Sequence, residues 1–239
     1  MDGKHRIESP AFLVRKHGVR PNKRLGQNFL TRLEHLEWIA DLLEIREGER
    51  VVEVGSGPGS LSALIASRGA IVTGIEKDER MLEIAKEEFP AVEWVKADMR
   101  KWEPMAGRFK IVGNLPYYLT SFFIRRALKW DIDLAVFMVQ KEVGEKLTAK
   151  AGDADYGLLS VIAKGLADVA CAFTLAGGAF YPPPEVDSSV IVMRPRHGGW
   201  NERAEEVAKA AFTHRRQTIF NALRRRYGAD AVRDALTKV

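Results

Sequence analysis

The 239-residue chain has little of what would place it outside the cell or in a membrane. Its single cysteine, Cys171, excludes an intramolecular disulfide framework, and its apolar surroundings predict an inert core residue. There is no run of about 18 apolar residues, so no membrane-spanning helix is expected. The first ten residues carry charges of both signs and no apolar core, unlike a secretory signal. These absences predict a cytoplasmic protein.

Metal-binding residues are also scarce. The five histidines are scattered without the spacing of a metal site, and one cysteine cannot build a zinc cluster. We therefore predict no metal. The composition, with 46% hydrophobic and 29% charged residues, is that of a globular protein, and we expect a monomer.

The net charge of +5 is unevenly distributed along the chain. Residues 1–30 and 196–239 each carry a surplus of five positive charges, whereas residues 31–195 carry five more acids than bases. This pattern is expected if both ends approach a polyanion. Charge alone leaves open a second interpretation, two solvated basic segments.

Apolar runs alternate with amphipathic segments from residue 31 to about 139. Thr31 and Glu34 have the spacing of a capping box at the start of a helix over 31–45. Strands are predicted at 50–55, 71–76, 92–98, 110–114 and 133–139, with helices from residue 60, over 79–89 and over 120–129. The series predicts an α/β fold, a Rossmann-like, mostly parallel sheet covered on both faces.

The pattern changes after about residue 150. Segments 158–169, 172–175 and 188–193 are predicted as strands, the last two antiparallel because no helix connects them. Gly198-Gly199 marks a linker. The predicted organisation is a basic arm over 1–30, an α/β domain over 31–197 and a small helical domain over 198–239.

A glycine-rich segment, Glu53-Val-Gly-Ser-Gly-Pro-Gly59, follows the first strand of the series and precedes a helix. Gly55, Gly57 and Gly59 let the backbone turn sharply and approach a ligand, at the sheet edge where parallel α/β folds bind nucleotide-like molecules. The order is neither G-x-G-x-x-G nor a Walker loop. A tight turn without a ligand is the alternative.

Two acids follow at the ends of the next strands. Glu76 is placed to accept hydrogen bonds from ribose hydroxyls, and Asp98 from an adenine amino group. Both would repel a phosphate, so the ligand they indicate is S-adenosylmethionine or its product. Solvated strand-end carboxylates are the alternative for either residue alone.

The next strand ends in Asn114-Leu115-Pro116-Tyr117. If the Asn114 amide oxygen and the Leu115 carbonyl accept N–H bonds from an exocyclic amine, its lone pair is aimed at a methyl donor. Tyr117 would stack on the base, which must leave its helix or lie in a loop to reach such a pocket. The alternative is an Asx-Pro turn with a core tyrosine.

Together these segments resemble the KsgA-type rRNA adenine N6,N6-dimethyltransferases. The resemblance covers about residues 22–225, in order, through Gly26-Gln-Asn-Phe-Leu30, Glu53 to Gly59, Glu76, Asp98, Asn114 to Tyr117, Phe180-Tyr-Pro-Pro-Pro-Glu-Val-Asp-Ser-Ser-Val190 and Phe212-Thr-His-Arg-Arg216. It implies a Rossmann-like methyltransferase domain with a helical C-terminal domain. That domain is usually larger in the family than the roughly 40 residues after Gly199.

The resemblance also implies an activity and site residues. The expected substrate is two adjacent adenines near the 3′ end of small-subunit rRNA, in a precursor particle of the 30S type. Gln27, Asn28 and Leu30 would border the methionine part of the cofactor, and Phe180 would face Tyr117 across the target base. The predicted cofactor set also includes Lys77 and Met99, beside the acids, and Asn114. Predicted RNA contacts are Lys23, Arg24, Arg215, Arg216, Arg224, Arg225 and Arg226, of which the arginines near the C-terminus could equally be a solvated helix face.

Two alternatives to this function remain at the sequence level. A large-subunit rRNA adenine methyltransferase of the macrolide-resistance type shares the cofactor motifs, although Phe212-Thr-His-Arg-Arg216 favours the small-subunit enzyme. A non-catalytic ribosome-assembly or transcription factor could share the fold, although intact Glu53, Asp98 and Asn114 argue against it.

Overall fold

Helices and strands alternate along most of the chain. The computed structural model describes residues 6–116, 119–196, 198, 200–213 and 217–238. In these residues helices α1 to α10 are Pro10–Lys16, Leu33–Leu42, Ser60–Ser67, Glu79–Glu88, Thr120–Ala127, Lys141–Thr148, Leu158–Leu166, Glu202–Phe212, Ile219–Tyr227 and Ala229–Thr237. Strands β1 to β9 are Phe29–Leu30, Arg50–Val54, Ile71–Glu76, Glu93–Lys96, Phe109–Asn114, Ile132–Gln140, Ala167–Leu175, Phe180–Tyr181 and Ser188–Pro195.

The main sheet has seven strands in the order β4-β3-β2-β5-β6-β9-β7. The first five are parallel, and β9 is antiparallel to both β6 and β7. The predicted mostly parallel sheet with an antiparallel end is confirmed. Because the chain runs outward from β2 through β3 and β4 and returns to β5, the strand order reverses between β2 and β5. Ligands bind at such a switch point, beyond the carboxyl ends of the strands.

Both faces of the sheet are buried. Val51 belongs to one apolar cluster and its neighbour Val52 to the other, since successive strand residues point to opposite faces. Helices α2 to α4 cover the first face, with Leu36 from α2 in its cluster. Helices α5 to α7 cover the second, with Phe123 from α5 fully buried. This two-sided cover fixes the strand ends that form the site.

The N-terminal segment is more ordered than the predicted basic arm. Ser9 accepts a hydrogen bond from the Phe12 N–H at 3.3 Å and caps α1, while Leu13 and Val14 are buried in the first apolar cluster. The predicted basic arm did not include this helix, because the seven residues of α1 are too few to show a repeating apolar pattern. Ser9 followed by Pro10 was the signal that could have revealed it.

Three other local predictions were wrong. Segment 158–166 is helix α7 and not strand, because a short apolar run does not distinguish a buried helix from a strand. Thr31 does not cap α2, since its hydroxyl donates to the Ala179 carbonyl at 3.0 Å and joins β1 to the segment before β8. Cys171 is exposed, because β7 is an edge strand of the sheet.

The C-terminal helices pack beside α7. The Trp200 ring occupies the space where a side chain at Gly165 would lie, and the rings of Tyr156 and Phe212 are 6.1 Å apart. The helices predicted after the linker are therefore present as α8 to α10, although the exact domain boundary stays a prediction. No helix in the described part of the chain is long and apolar enough to cross a membrane.

Candidate active site

The glycine-rich loop after β2 is held against β3. The N–H groups of Gly55 and Ser56 donate to the Ile75 carbonyl at 2.8 and 3.1 Å. Gly57 has φ +54°, and a Cβ there would come within 3.0 Å of the Phe29 ring. The loop therefore needs glycine at this position both for its backbone conformation and for its contact with β1.

Glu76 is buried and accepts hydrogen bonds from the glycine-rich loop and from the residues that follow β3. One carboxylate oxygen accepts from the Gly57 N–H at 2.9 Å, and the other accepts from the Lys77 and Asp78 N–H groups, both at 2.7 Å. Burial raises the pKa of Glu76, although the three N–H groups favour its ionised form. A carboxylate has about four acceptor positions, so one remains for a ligand hydroxyl.

Glu53 lies beneath the loop, on β2. It is 4% exposed and accepts a hydrogen bond from the Ser62 hydroxyl at 2.5 Å. Burial raises the pKa of Glu53 to about 8, against the opposing effect of that hydrogen bond. Glu53 lines the same cavity as Glu76, which places two acids with raised pKa values side by side.

Asp98 follows β4 and lies at the same sheet edge. Its carboxylate accepts from the Arg100 guanidinium at 2.5 Å, from the Arg100 N–H at 3.0 Å and from the Lys77 ammonium at 3.0 Å. The Arg100 hydrogen bond holds the pKa of Asp98 well below its usual range. The adjacent Met99 side chain lies beside the glycine loop, 3.3 Å from where a Cβ of Gly55 would stand.

Asn114 ends β5, on the other side of the switch point. Its amide nitrogen donates to the Asn28 carbonyl at 3.1 Å, which leaves its amide oxygen as the remaining polar atom. The Leu115 N–H donates to the Met138 carbonyl at 3.0 Å and fixes the turn. Pro116 lines the cavity, whereas Tyr117 lies outside the described residues.

The segment before β1 forms another wall of the cavity. Gln27 accepts a hydrogen bond from the Asn22 N–H at 2.7 Å, and its amide nitrogen donates to the Asp78 carboxylate at 2.9 Å. The first bond closes a turn within the segment, and the second ties the segment to the start of α4. Asn28 and Leu30 also line the cavity, and their contact with the methionine part of the cofactor stays a prediction.

Most predicted cofactor residues thus line one cavity. Its lining includes Gln27, Asn28, Leu30, Glu53, Gly55, Gly57, Glu76, Lys77, Asp98, Met99 and Asn114. Gly59 is not among the lining residues. A Cβ at Gly59 would lie 2.6 Å from the Trp94 ring, so packing of α3 on the sheet explains this glycine.

Phe180 also lies apart from the cavity. It is 4% exposed, belongs to the first apolar cluster and pairs with Leu30 across the two-stranded β1–β8 sheet. Its predicted contact with the target base stays a prediction. Further apolar residues line the cavity that were not predicted as site residues: Pro10, Leu25, Phe29, Leu36 and Ile39. Ser9 followed by Pro10 could have revealed the helix that brings Pro10 there.

The predicted RNA contacts lie at two places. Lys23 and Arg24 are exposed in a short turn next to the cavity residue Leu25. Arg224, Arg225 and Arg226 are exposed on α9, while Arg215 and Arg216 lie outside the described residues. Within the part of the chain that is described, no three His, Cys, Asp or Glu side chains are grouped to hold a metal ion, and the absence of a metal stays a prediction.

The sheet order, the glycine loop and the acid at the end of β3 define a class I, Rossmann-like methyltransferase. Residues 18–239 match the family model described as ribosomal RNA adenine dimethylase. The chain belongs to that family. The family, the fold class and the enzyme class predicted from the sequence are confirmed, with S-adenosylmethionine as the cofactor.

Similar proteins come from bacteria and archaea. The chain is 40% identical to a ribosomal RNA small subunit methyltransferase A of Myxococcus xanthus, over 91% of this chain and 81% of that protein. It is 36% identical to a probable ribosomal RNA small subunit methyltransferase A of Methanopyrus kandleri, with the same coverage. Among solved structures, the 23S rRNA methyltransferase ErmE is similar with a TM-score of 0.74 and 30% identity, over 88% of this chain and 89% of ErmE.

The cavity fits an adenosyl sulfonium compound. Gly55 and Gly57 line the cavity and carry no side chain that would block a ligand, and the acids Glu76 and Asp98 suit hydroxyl and amine donors and not phosphate. The buried Ser56 hydroxyl, which also lines the cavity, has no hydrogen-bond partner among the described residues. Buried hydroxyls without a partner are uncommon, so Ser56 is one more group available to the cofactor.

Proposed function

We propose that this enzyme dimethylates N6 of two adjacent adenines near the 3′ end of small-subunit, 16S-type rRNA during ribosome biogenesis. The observation that carries the proposal is the position of Asn114. It lines the same cavity as Glu53, Glu76 and Asp98, so the polar turn and the cofactor residues share one site. The small-subunit enzymes among the relatives support the choice of substrate.

The proposed cofactor contacts come from the ends of β3 and β4 and from the segment around β1. Glu76 would accept from a ribose hydroxyl, and Asp98 would accept from the adenine amine in exchange for one of its bonds to Arg100 or Lys77. Gln27, Asn28 and Leu30 would enclose the methionine part. When bound, S-adenosylmethionine supplies an electrophilic methyl group on a sulfonium.

The Asn114 turn would activate the target amine. An adenine amine is a poor nucleophile because its lone pair is delocalised into the ring. The Asn114 amide oxygen and the Leu115 carbonyl would accept its two N–H bonds and orient the lone pair towards the methyl group. Developing positive charge on the nitrogen would meet acceptors that are already in place, since the bonds to Asn28 and Met138 fix the turn.

The target base must leave its helix or lie in a loop to reach this turn. Tyr117 would stack on one face of the base and Phe180 would form the opposite wall. A monomethylated amine must fit the same space for the second transfer. Pro116, the residue before Tyr117 in the sequence, lines the cavity.

A large-subunit substrate is the second candidate, because ErmE is structurally similar. The identity of 36–40% to the two small-subunit relatives, against 30% to ErmE, favours the small subunit. We further propose that the enzyme works as a monomer, in the cytoplasm, on a precursor of the small ribosomal subunit. Intact cofactor residues favour an enzyme over a non-catalytic assembly factor.

The test is methyl transfer from labelled S-adenosylmethionine to small subunits that lack this modification, with unmodified large subunits in parallel. The expected result is label in small-subunit rRNA alone. Label in the large subunit alone would establish the second candidate. Binding of the cofactor in calorimetry without transfer to either subunit would contradict the proposed substrate.

A further inference from the structure

Helix α5 starts at the proposed catalytic turn. The Leu119 N–H donates to the Pro116 carbonyl at 2.9 Å, and the Thr120 hydroxyl donates to the same oxygen at 3.3 Å. Thr120 is 1% exposed. The start of α5 is therefore hydrogen-bonded to the turn that follows Asn114.

Arg126, on α5, is fastened to the loop that follows Asp98. Its side chain is only 19% exposed. Its guanidinium donates to the Trp102 carbonyl at 2.7 Å, to the Glu103 carboxylate at 2.6 Å, to the Met99 carbonyl at 3.4 Å and to the Arg100 carbonyl. Because Asp98 and Met99 line the cofactor cavity, Arg126 fixes the adenine end of that cavity relative to the catalytic turn.

The adjacent Arg125 has a different partner, Glu205 on α8. Glu205 is 6% exposed and, with Ala208, is one of the buried residues of α8, and it also accepts from Lys209 at 2.9 Å. Burial of an ionised carboxylate is costly unless cations or hydrogen-bond donors compensate it. This ion pair, together with the packing of Trp200 over Gly165, holds α8 against α5 and α7.

We propose that Arg126 and Arg125 are positioning residues with separate tasks. Arg126 holds the Asp98 loop in its cofactor-binding form, and Arg125 holds the C-terminal helices in register with the catalytic turn, so that RNA bound by them meets the target pocket. The Arg125 part rests on the proposed function. The Arg126 part concerns cofactor binding and stands apart from the RNA substrate.

The two tasks predict that two matched variants change different quantities, the cofactor Kd in one and kcat/KM for small subunits in the other. Arg126→Gln should weaken binding of S-adenosylmethionine or its product about tenfold in calorimetry, since it removes several hydrogen bonds from a charged donor. Arg125→Gln should leave that Kd within about twofold and lower kcat/KM for small subunits about fivefold, as expected for lost coupling between sites. Glutamine retains an apolar stem in both cases.

Controls separate positioning from general damage to the fold. Glu205→Gln should reproduce the Arg125→Gln effect, whereas Glu202→Gln, at an exposed acid of α8, should behave like the wild type. Arg108→Gln, which removes an exposed arginine paired with Asp131 and Asp133, is the control for Arg126→Gln. Thermal unfolding of each variant shows whether it folds.

Either of two results would overturn the proposal. One is a parallel loss of cofactor and RNA parameters in both variants, which indicates a merely structural role. The other is wild-type behaviour of both variants. If the wild-type enzyme transfers no methyl group to rRNA, the proposed function fails and the Arg125 part fails with it, while calorimetry of Arg126→Gln still decides the cofactor part.

Discussion

At the residue scale, a substitution of Asn114 should separate the effect on methyl transfer from the effect on cofactor binding. Asn114→Ala should lower methyl transfer at least about 100-fold, because it removes one acceptor from a preorganised polar turn. Cofactor affinity should change little, since Glu76 and Asp98 remain. Transfer to small subunits and calorimetric titration with the cofactor measure the two effects. Loss of cofactor binding as well would contradict the role assigned to Asn114.

Glu53 makes stability depend on pH. Burial raises its pKa from 4.5 to about 8 in the folded chain, so between these values the folded state holds a proton that the unfolded state has released. The contribution of Glu53 to the free energy of unfolding is therefore greatest below pH 4.5 and falls until about pH 8. Glu53→Gln should remove this part of the pH dependence.

The measurement is urea unfolding of the cofactor-free protein at several values between pH 5 and pH 8. Between these limits the wild type should lose more stability than Glu53→Gln. Glu83→Gln, at an exposed acid of α4, is the matched control and should follow the wild type. A pH profile of Glu53→Gln parallel to that of the wild type would show that Glu53 is ionised throughout.

At the element scale, Gly59 serves the packing of α3 on the sheet. Gly59→Ala should lower the free energy of unfolding by about 2 kcal/mol or more, from a left-handed backbone at φ +91° and contact with the Trp94 ring. Adding Trp94→Leu to Gly59→Ala should restore the part that is due to crowding. Urea unfolding of the single and double variants measures this interaction, and purely additive effects would exclude a clash with Trp94.

The sequence predicts those elements whose pattern is long and regular. The order of strands and helices from β2 to β6 follows from their periodicity, and the meeting of Glu76 and Asp98 follows because parallel strands end at one edge. Helix α7 was missed because a short apolar segment fits either a helix or a strand, and helix α1 was missed because seven residues show no repeating pattern. Thr31 has the spacing of a cap, but its hydroxyl bonds to Ala179, a tertiary contact that spacing does not reveal.

The candidate site was predictable to a similar extent. Lining residues at strand ends follow from motif and topology together. The contacts of Gln27 with Asn22 and Asp78, and those of Arg126 with the Asp98 loop, join segments that are distant in sequence, and single-sequence patterns do not predict such contacts. Gly59 has the sequence signature of a ligand-binding glycine, but only the structure shows that Trp94 requires it.

At the scale of the whole molecule, the positive charge near the two chain ends forms two exposed basic surfaces, Lys23 with Arg24 and Arg224 to Arg226. Arg224→Ala and Arg225→Ala should each weaken RNA binding and reduce the slope of log affinity against log salt concentration by about 1, if each arginine contacts one phosphate. Cofactor affinity should stay unchanged. Arg68→Ala, which removes a partner of Asp41, is the control, and unchanged salt slopes in both α9 variants would make these arginines a solvated helix face.

Identification of the product tests the proposed dimethylation of small-subunit rRNA most directly. Small subunits that lack the modification are incubated with the enzyme and S-adenosylmethionine, and their rRNA is digested and analysed by mass spectrometry, both as nucleosides and as mapped fragments. The expected product is N6,N6-dimethyladenosine at two adjacent positions near the 3′ end of the small-subunit rRNA. Methylation at any other nucleoside of the small-subunit rRNA would contradict the proposed function.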